Sequence, residues 1–492
     1  MPPCDAPAAV ATCPAPAYIE RYYCKSSGRT RLMKIIIIGA GLVGSSLAEH
    51  LLHQGHAIAV IEQNHLRCEQ LGDKLDVLVV EGSGSNPEDL ENAGIENADM
   101  LVASTPVDEV NLTACMIARQ YEVPHRIARI RNADFITGNN RMKAEHFGIT
   151  KVIYPEENTL NAVLNLVETP FAIDAQDFAH RSILLRSYRI TGDMPIAHRN
   201  LMELRNDPLG NNLLVVAIIR DEEVIIPRGD TVIEPGDKPL FIFPRDARDK
   251  VLKLVGVDAG EKVKAIVFGD THTAINIARA LQKEIDTVIY IDPDLEHGNL
   301  AATKLHGIDV LHGSGEDVDV LKEANVRFAD FFIAASEHND ENVMSCLLAK
   351  SEGAREAIAI VNNDRHIDLF LSIGINHIIN PRQLTANGIL DAILPGYVSA
   401  ALHIQKTDID VLRLYVSANA PVAHKPLKRS WKRVLGVSIV GAVLRDDAMI
   451  IPTGDTILLP DDLVIVFTRA VGIRRVRKLF GSDEQALASS HA

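Results

Sequence analysis

No stretch of about 20 apolar residues occurs in this 492-residue sequence, so no helix it encodes can span a bilayer. The most apolar run, Ile35 to Leu52, is broken by Gly39, Gly41 and Gly44 and then by Glu49. Cysteine is scarce and scattered: Cys4, Cys13, Cys24, Cys68, Cys115 and Cys346 form no C-x-x-C pair. That excludes a zinc knuckle or a disulfide framework and fits a reducing compartment. Positive charge is in deficit, with 50 Lys and Arg against 65 Asp and Glu and a net charge of −15. Broad nucleic-acid binding, which needs a basic face, is therefore not expected. The histidines show no repeated metal-ligand spacing; His50 and His53 lie i,i+3 on an expected helix, where a solvated face is the plain reading.

The first 32 residues lack both a periodic apolar face and an apolar core long enough for a signal peptide. Rich in Pro and Ala, they are expected to form a disordered leader or to reflect an overextended start, since Met33 directly precedes a buried-strand pattern.

What the sequence does contain is a duplication. KIIIIG (Lys34–Gly39) aligns with KAIVFG (Lys264–Gly269), an offset of 269 − 39 = 230. Glu62 falls on Asp292 at the same offset. Gly82-Ser83-Gly84 falls on Gly313-Ser314-Gly315, and Asn111–Cys115 on Asn342–Cys346, both at 231. GITKVIYP (Gly148–Pro155) mirrors GINHIINP (Gly374–Pro381) at 226, and IIPRGDTVIEP (Ile225–Pro235) mirrors IIPTGDTILLP (Ile450–Pro460) at 225. Ordered matches at nearly constant offset divide the chain into leader, two copies and a polar tail.

Within copy 1, strand-like runs at Ile35–Ile38, Ala57–Ile61, Val77–Val80, Met100–Ala103 and Arg126–Ile130 alternate with helical patterns. One such helix has Asn86 as candidate cap and Pro87 in its first turn. Alternating βαβ units predict an α/β fold with a doubly wound, Rossmann-like parallel sheet. After about residue 178, Ser182–Ile190, Leu213–Ile219 and Leu240–Phe243 read as strands of a small α+β lobe, with a short helix near Asn200–Leu204. The expected boundaries are a leader at 1–32, a nucleotide-binding lobe at 33–150, and a crossover with small lobe at 151–258. The second copy follows at 262–376 and 377–485, with a tail at 486–492.

The chemistry lies in copy 1. Gly39-Ala40-Gly41-Leu42-Val43-Gly44 follows a buried strand and opens a helix, the arrangement that lets a backbone turn and a helix N-terminus receive a pyrophosphate. Glu62 ends the second strand 62 − 44 = 18 residues later. A carboxylate there can accept hydrogen bonds from an adenosine ribose and repels a 2′-phosphate, favouring NAD(H) over NADP(H) while also suiting ATP or ADP. Gly82, Ser83 and Gly84 form a turn that leaves room for adenine, and Thr105 follows the fourth strand beside the same pocket. Arg129 and Arg131 can face bound phosphates; the competing reading for each is a surface ion pair.

Copy 2 has lost these parts. Thr271 stands for Gly41, Ala274 for Gly44, Ile360 for Arg129 and Asn362 for Arg131, while Asp270 adds negative charge at the turn. Dinucleotide binding is expected in copy 1 alone. The basic cluster Arg469, Arg474, Arg475, Arg477 and Lys478 is expected on the last helix as a solvated face, with an anionic lipid or partner contact as the alternative.

MKIIIIGAGLVGSSLAEHL, the segments Asp108–Asn111 and Asp340–Asn342, IARIR and the two IIP-x-GDT turns resemble the peripheral regulatory subunits of bacterial Trk potassium-uptake systems. The likeness runs from Met33 to about residue 485 and includes the two-copy layout of RCK/KTN domains. It implies a non-enzymatic cytoplasmic protein at the inner face of the plasma membrane, assembled as a homotetramer beneath a pore. Bound NAD(H) or adenine nucleotide would alter that pore's gating. It also implies the nucleotide role of Gly39, Gly41, Gly44, Glu62 and Arg129, although family members often carry Asp where Glu62 stands. Two alternatives remain: a regulator of a cation/proton antiporter, and an NAD-dependent dehydrogenase. For the latter the sequence supplies no isolated His, Lys or Cys with an orienting partner. Cys115 and Cys346 sit at equivalent apolar helical positions that read as core.

Overall fold

The computed structural model describes residues 32–480, except 54, 133–134, 136–142, 170–171, 179–181, 209, 211, 222, 258–261, 363–366, 376, 394–408, 433 and 447. The expected leader and tail, with Cys4, Cys13 and Cys24, lie outside the described residues.

Copy 1 opens with β1 (Lys34–Ile38), whose isoleucines point alternately to two buried faces. Strands β2 (Ala57–Glu62), β3 (Leu78–Glu81), β4 (Met100–Ala103), β5 (His125–Arg129) and β6 (Lys151–Ile153) complete a sheet of order β3-β2-β1-β4-β5-β6. All its pairings are parallel, which is the doubly wound arrangement expected. The helices are α1 (Leu42–His53), α2 (His65–Lys74), α3 (Pro87–Asn92), α4 (Asp108–Gln120) and the crossover helix α5 (Pro155–Glu168). Asn86 caps α3 through its side-chain oxygen, and Pro87 occupies the first turn, as read from the sequence.

The small lobe contains β7 (Asp174–Phe178), β8 (Ile183–Ser187), α6 (Leu201–Asn206), β9 (Leu214–Arg220), β10 (Glu223–Ile225), β11 (Lys238–Pro244) and α7 (Arg248–Leu254). Its antiparallel sheet runs β10-β9-β11-β8-β7.

Copy 2 repeats the plan. Strands β12 (Lys264–Phe268), β13 (Thr287–Asp292), β14 (Asp309–His312), β15 (Phe331–Ala334), β16 (Glu356–Ile360) and β17 (His377–Ile379) take the order β14-β13-β12-β15-β16-β17. Its helices are α8 (His272–Leu281), α9 (Leu295–Lys304), α10 (Val318–Glu323), α11 (Asn339–Ser351), α12 (Ile367–Ser372) and the crossover helix α13 (Pro381–Ile393). The second small lobe has β18 (Ile409–Tyr415), α14 (Leu427–Ser430), β19 (Ser438–Arg445), β20 (Ala448–Ile450), β21 (Leu463–Arg469) and α15 (Ile473–Leu479). Its sheet runs β18-β21-β19-β20. Arg469 ends β21, and the other four residues of the basic cluster lie on α15.

The IIP-x-GDT turns now have a cause. The hydroxyls of Thr231 and Thr456 accept the N–H of Arg228 and Thr453, tightening each turn. The carbonyls of Gly229 and Gly454 accept from Met202 and Lys428 in the neighbouring short helix. Asp237 and Asp462, both buried, each hold one arginine with two bonds: Arg220 at 2.7 and 2.8 Å, Arg445 at 2.8 and 2.8 Å.

The crossover helices exchange partners. Val163, Leu164 and Val167 of α5 sit in the core of copy 2, against Ile277 and Leu281 of α8. Ile389, Leu390 and Ile393 of α13 sit in the core of copy 1, against Leu47 and Leu51 of α1. The small lobes also share one core, in which Leu185 and Val216 meet Val440 and Phe467. Each copy thus completes the other across a pseudo-twofold relation. No helix among the described residues is long and apolar enough to cross a membrane.

Candidate functional site

The turn after β1 is shaped by its glycines. Gly39 has φ +97°, in the left-handed region that disfavours side chains, and its N–H donates to Ile61 O at 2.8 Å. A Cβ on Gly44 would run into the Gly39 carbonyl, so only glycine lets α1 pack this close. At Gly41 a Cβ would meet nothing within 4 Å. That open space faces the start of α1, where the N–H groups of Gly41, Leu42 and Val43 have no acceptor among the described residues. Leu42 is exposed beside them, while Val43 turns into the core. Unsatisfied donors at a helix N-terminus, under open space, form a cradle for phosphate.

Glu62 lies at the end of β2 and is 9% exposed. Its Oε2 accepts from Ala40 N at 2.6 Å and its Oε1 from Asn64 N at 2.9 Å. The extra methylene of Glu over Asp lets it reach back to the glycine turn. Two of its roughly four acceptor positions are left over by these bonds.

Gly82 and Ser83 follow β3, with Gly82 N–H donating to the Glu62 carbonyl at 2.9 Å. A Cβ at Gly82 would collide with the Asp89 carboxylate, and one at Gly84 with Ile38. These glycines therefore have packing causes besides any room they leave for adenine. Ser83 N–H donates to Asp89 at 2.8 Å.

Thr105 stands over Gly39, its Cγ2 3.3 Å from where a Gly39 Cβ would be. It is held by a residue whose role sequence reasoning missed. Asn111, fully buried, accepts from Thr105 N and Oγ1 at 3.1 and 2.8 Å and donates to the carbonyls of Thr105 and Arg129 at 2.9 and 2.8 Å. Asn342 repeats this clamp between Ser336 and Ile360. Asp108 likewise accepts from the N–H of Arg131 and Asn132. The D-E-x-N segment is thus a clamp joining the ends of β4 and β5, and the D-E-N segment joins the ends of β15 and β16. Their signal was the repeat itself, an asparagine kept in both copies.

The arginines divide. Arg131 makes a long 3.4 Å contact to Glu156 and is half exposed, which fits the ion-pair reading. Arg129 makes no side-chain hydrogen bond or ion pair among the described residues, and its Nε is buried without an acceptor. Burial, then Arg131, lower its pKa, while Glu156 and Asp108 raise it.

Copy 2 builds its turn differently. Thr271 caps α8: its hydroxyl accepts from Ala274 N at 3.1 Å and donates to Ala335 O at 2.7 Å. Gly269 has shifted to φ +144°, a different turn that admits Ala274 where copy 1 requires Gly44. Asp292 is fully buried and bonded to Asp294 N at 3.0 Å and His297 Nδ1 at 2.6 Å. Tyr290, where copy 1 has Val60, sends its hydroxyl to the Gly269 carbonyl. Asp270 leaves one buried oxygen without a hydrogen-bond donor.

Cys115 and Cys346 lie wholly in the core, as the sequence indicated, and burial pushes the Cys115 thiol up to about 12. No cluster of potential metal ligands occurs among the described residues. A cavity of about 240 Å³ opens between α5 and α8, lined by Tyr154, Glu156, Glu157, Asn276, Arg279 and Lys283 among others. None of its lining residues belongs to either glycine turn.

Known proteins place these features in a family. The TrkA-N domain matches residues 35–155 and 265–381, and the TrkA-C domain matches 185–256 and 411–481. A Trk system potassium uptake protein TrkA from Azorhizobium caulinodans is 31% identical over 453 residues, covering 91% of this chain and 98% of its own length. Its counterpart from Halomonas elongata is 32% identical over 461 residues, covering 90% and 97%. Among solved structures, the GsuK RCK domain superposes with a TM-score of 0.56 at 17% identity, over 92% of this chain and 96% of its own. The structure described as the GsuK channel bound to NAD superposes with a TM-score of 0.57 at 17% identity, over 92% and 80%. At that identity the likeness shows the RCK fold.

Proposed function

Because the chain belongs to the family of Trk system potassium uptake protein TrkA, we propose that it is the nucleotide-sensing regulatory subunit of a membrane potassium-uptake pore. Copy 1 binds NAD(H), or ATP or ADP, and copy 2 binds none. The observation that carries this reading is the pairing of free N–H groups and open space at Gly41 with the unpartnered Arg129. Both are features of a site awaiting an anion. In copy 2 the turn carries the Thr271 side chain, which caps α8, while Tyr290 bonds the Gly269 carbonyl and His297 occupies Asp292.

The phosphates lie on the N–H groups of Gly41 to Val43, Glu62 receives the adenosine ribose, and Thr105, positioned by Asn111, covers the turn. The small lobes, which share one core, sense a further ligand, and the subunit works as a homotetramer at the inner face of the plasma membrane. Binding moves no covalent bond. The transferable quantity is the difference in nucleotide affinity between two arrangements of the lobes, which sets how far a ligand can shift the pore.

A strain lacking its own regulatory subunit but retaining the pore should regain growth on limiting potassium when given this chain. Failure with several compatible pores would favour a cation/proton antiporter partner. Sustained oxidation of NADH with carbonyl substrates would instead establish the dehydrogenase reading.

A further inference from the structure

The two small lobes share a core but differ in surface charge. Residues 421–440 and 463–480 of the second lobe hold ten Lys and Arg and no Asp or Glu. The matching stretches of the first lobe, 195–215 and 238–255, hold seven Lys and Arg against four Asp and Glu. Asp246 and Asp249 of the first lobe stand where the second has Val471 and Arg474, at an offset of 225. In a chain of net charge −15, the second lobe is a local reversal of sign.

The fold collects these cations on one face. Leu427 and Trp431, at the two ends of α14, enter the same core as Val476 and Phe480 of the α15 segment. The Trp431 and Phe480 rings meet edge to face with centroids 6.2 Å apart. With those side chains inward, Arg429 and Lys432 on one segment and Arg474, Arg475 and Lys478 on the other are exposed. The turn at 434–437 joins the two segments. The Val437 carbonyl accepts from Arg469 N at 2.8 Å, and a Cβ on Gly472 would touch the Val437 side chain at 3.4 Å. At this junction Leu435 is 58% exposed and Val471 76%.

Lys428 pairs with Asp455 at 2.5 Å, but both side chains are exposed and the contact is screened by water. Arg429, Lys432 and Arg475 make no ion pair among the described residues. Cations from two helices, with two aliphatic side chains projecting at the junction between them, suit a surface of anionic headgroups into which short apolar groups can dip. A soluble acidic peptide would match the cations and leave Leu435 and Val471 in water.

We propose that this face of the second small lobe docks the subunit on an anionic phospholipid bilayer. Arg429, Lys432 and Arg475 lie on the headgroups, and Leu435 and Val471 reach the interface. This rests on the reading that the subunit works at a membrane, and it assigns the surface and the lipid chemistry. The first lobe, with carboxylates at the matched positions, does not share the role, so docking orients the chain.

The test sediments the full chain with vesicles of equal parts phosphatidylglycerol and phosphatidylcholine, and with phosphatidylcholine alone. Each Lys or Arg near an anionic surface strengthens partitioning about fivefold, so three should favour the anionic vesicles about a hundredfold. Binding should fall as salt approaches about 1 M, where the screening length is about 3 Å. Lys432→Glu combined with Arg475→Glu should weaken it at least about 25-fold. Leu435→Ser combined with Val471→Ser should remove the binding that persists in high salt. All four side chains are exposed, so the melting temperature should hold in both double variants.

Equal binding to neutral vesicles, or anionic binding unchanged by the charge reversals, overturns the proposal. So does capture of polyglutamate through Lys432 and Arg475 without vesicle binding, which gives the face to an acidic protein. If vesicles do not bind while the chain restores growth on limiting potassium, the docking face falls and the proposed function stands. Vesicle binding through Lys432 and Arg475 in a chain that restores no growth keeps the face and overturns that function.

Discussion

Replacing Gly41 by Asp separates ligand chemistry from folding at the copy 1 turn. A Cβ there meets no atom within 4 Å, and Gly41 does not have the positive φ of Gly39, so the backbone accepts a side chain without strain. The melting temperature should stay within a degree or two, the range of an unstrained surface change of about 0.5 kcal/mol. Binding should not survive. The new carboxylate occupies the space above the N–H groups of Gly41 to Val43, where a phosphate would sit. Two unit charges about 4 Å apart repel by about 4 kcal/mol at an effective dielectric constant of about 20, which is roughly a thousandfold in affinity. The matched change, Thr271→Asp, retains a side chain able to cap α8 and adds charge to a turn already carrying Asp270. It should alter affinity by no more than about twofold, with one nucleotide bound per chain. Isothermal titration calorimetry with NADH and with ADP reads both quantities. Two equivalent sites per chain, or comparable losses from both substitutions, would refute the assignment of Thr271 and Asp292 as internal occupants.

Glu62→Gln removes the charge facing a ribose 2′-phosphate but keeps one oxygen for the Ala40 N–H. The affinity gap between NADH and NADPH should narrow by about tenfold, and NADPH binding as well as NADH in the unaltered chain would sink the ribose assignment. Ile389→Ala should cost about 2–5 kcal/mol, and its effect should appear in the other copy, as faster amide exchange in β1 and α1. Exchange confined to copy 2 would contradict the swapped packing. The Cys115 thiol ionises near 9.0 when exposed and near 12 in the fold, so the native state favours the neutral form. Its contribution is fully present below pH 9 and is lost as pH rises toward 12. At pH 8 about one native thiol in ten thousand is ionised, so residue-resolved alkylation should leave Cys115 unmodified until the chain unfolds.

The sheets, the duplication and the glycine turn were legible because each rests on local periodicity or on a motif that must be contiguous. Five isoleucine and lysine positions in β1 encode a strand buried on both faces, and the 230-residue offset aligns it with β12 without any tertiary information. Strand ends were less legible. The runs read as Val77–Val80 and Arg126–Ile130 are Leu78–Glu81 and His125–Arg129, shifted by one residue, because pairing with the neighbouring strand and not side-chain type sets the boundary. Hidden altogether was what holds Glu62. A hydrogen bond to Ala40 spans 22 residues and depends on the reach of one methylene.

The exchange of crossover helices explains why a chain would keep a copy whose glycine turn has diverged. Suppose copy 2 were lost. Copy 1 would then expose Leu47, Leu51 and the β1 isoleucines that α13 covers, and α5 would expose Val163, Leu164 and Val167. At roughly 1.5–3 kcal/mol for each fully buried aliphatic side chain, the six crossover residues alone account for a contribution of the order of the whole stability of a domain. Selection on folding therefore retains β12, α8 and α13 whatever happens to the turn at Gly269. Fusion in one chain is what frees that turn. In a dimer of identical subunits, a Gly-to-Thr change would alter both turns at once, whereas here Thr271 can cap its helix while Gly41 stays open. The same freedom applies to charge. Arg129 and Arg131 of copy 1 stand where copy 2 has Ile360 and Asn362, a difference that identical subunits could not supply.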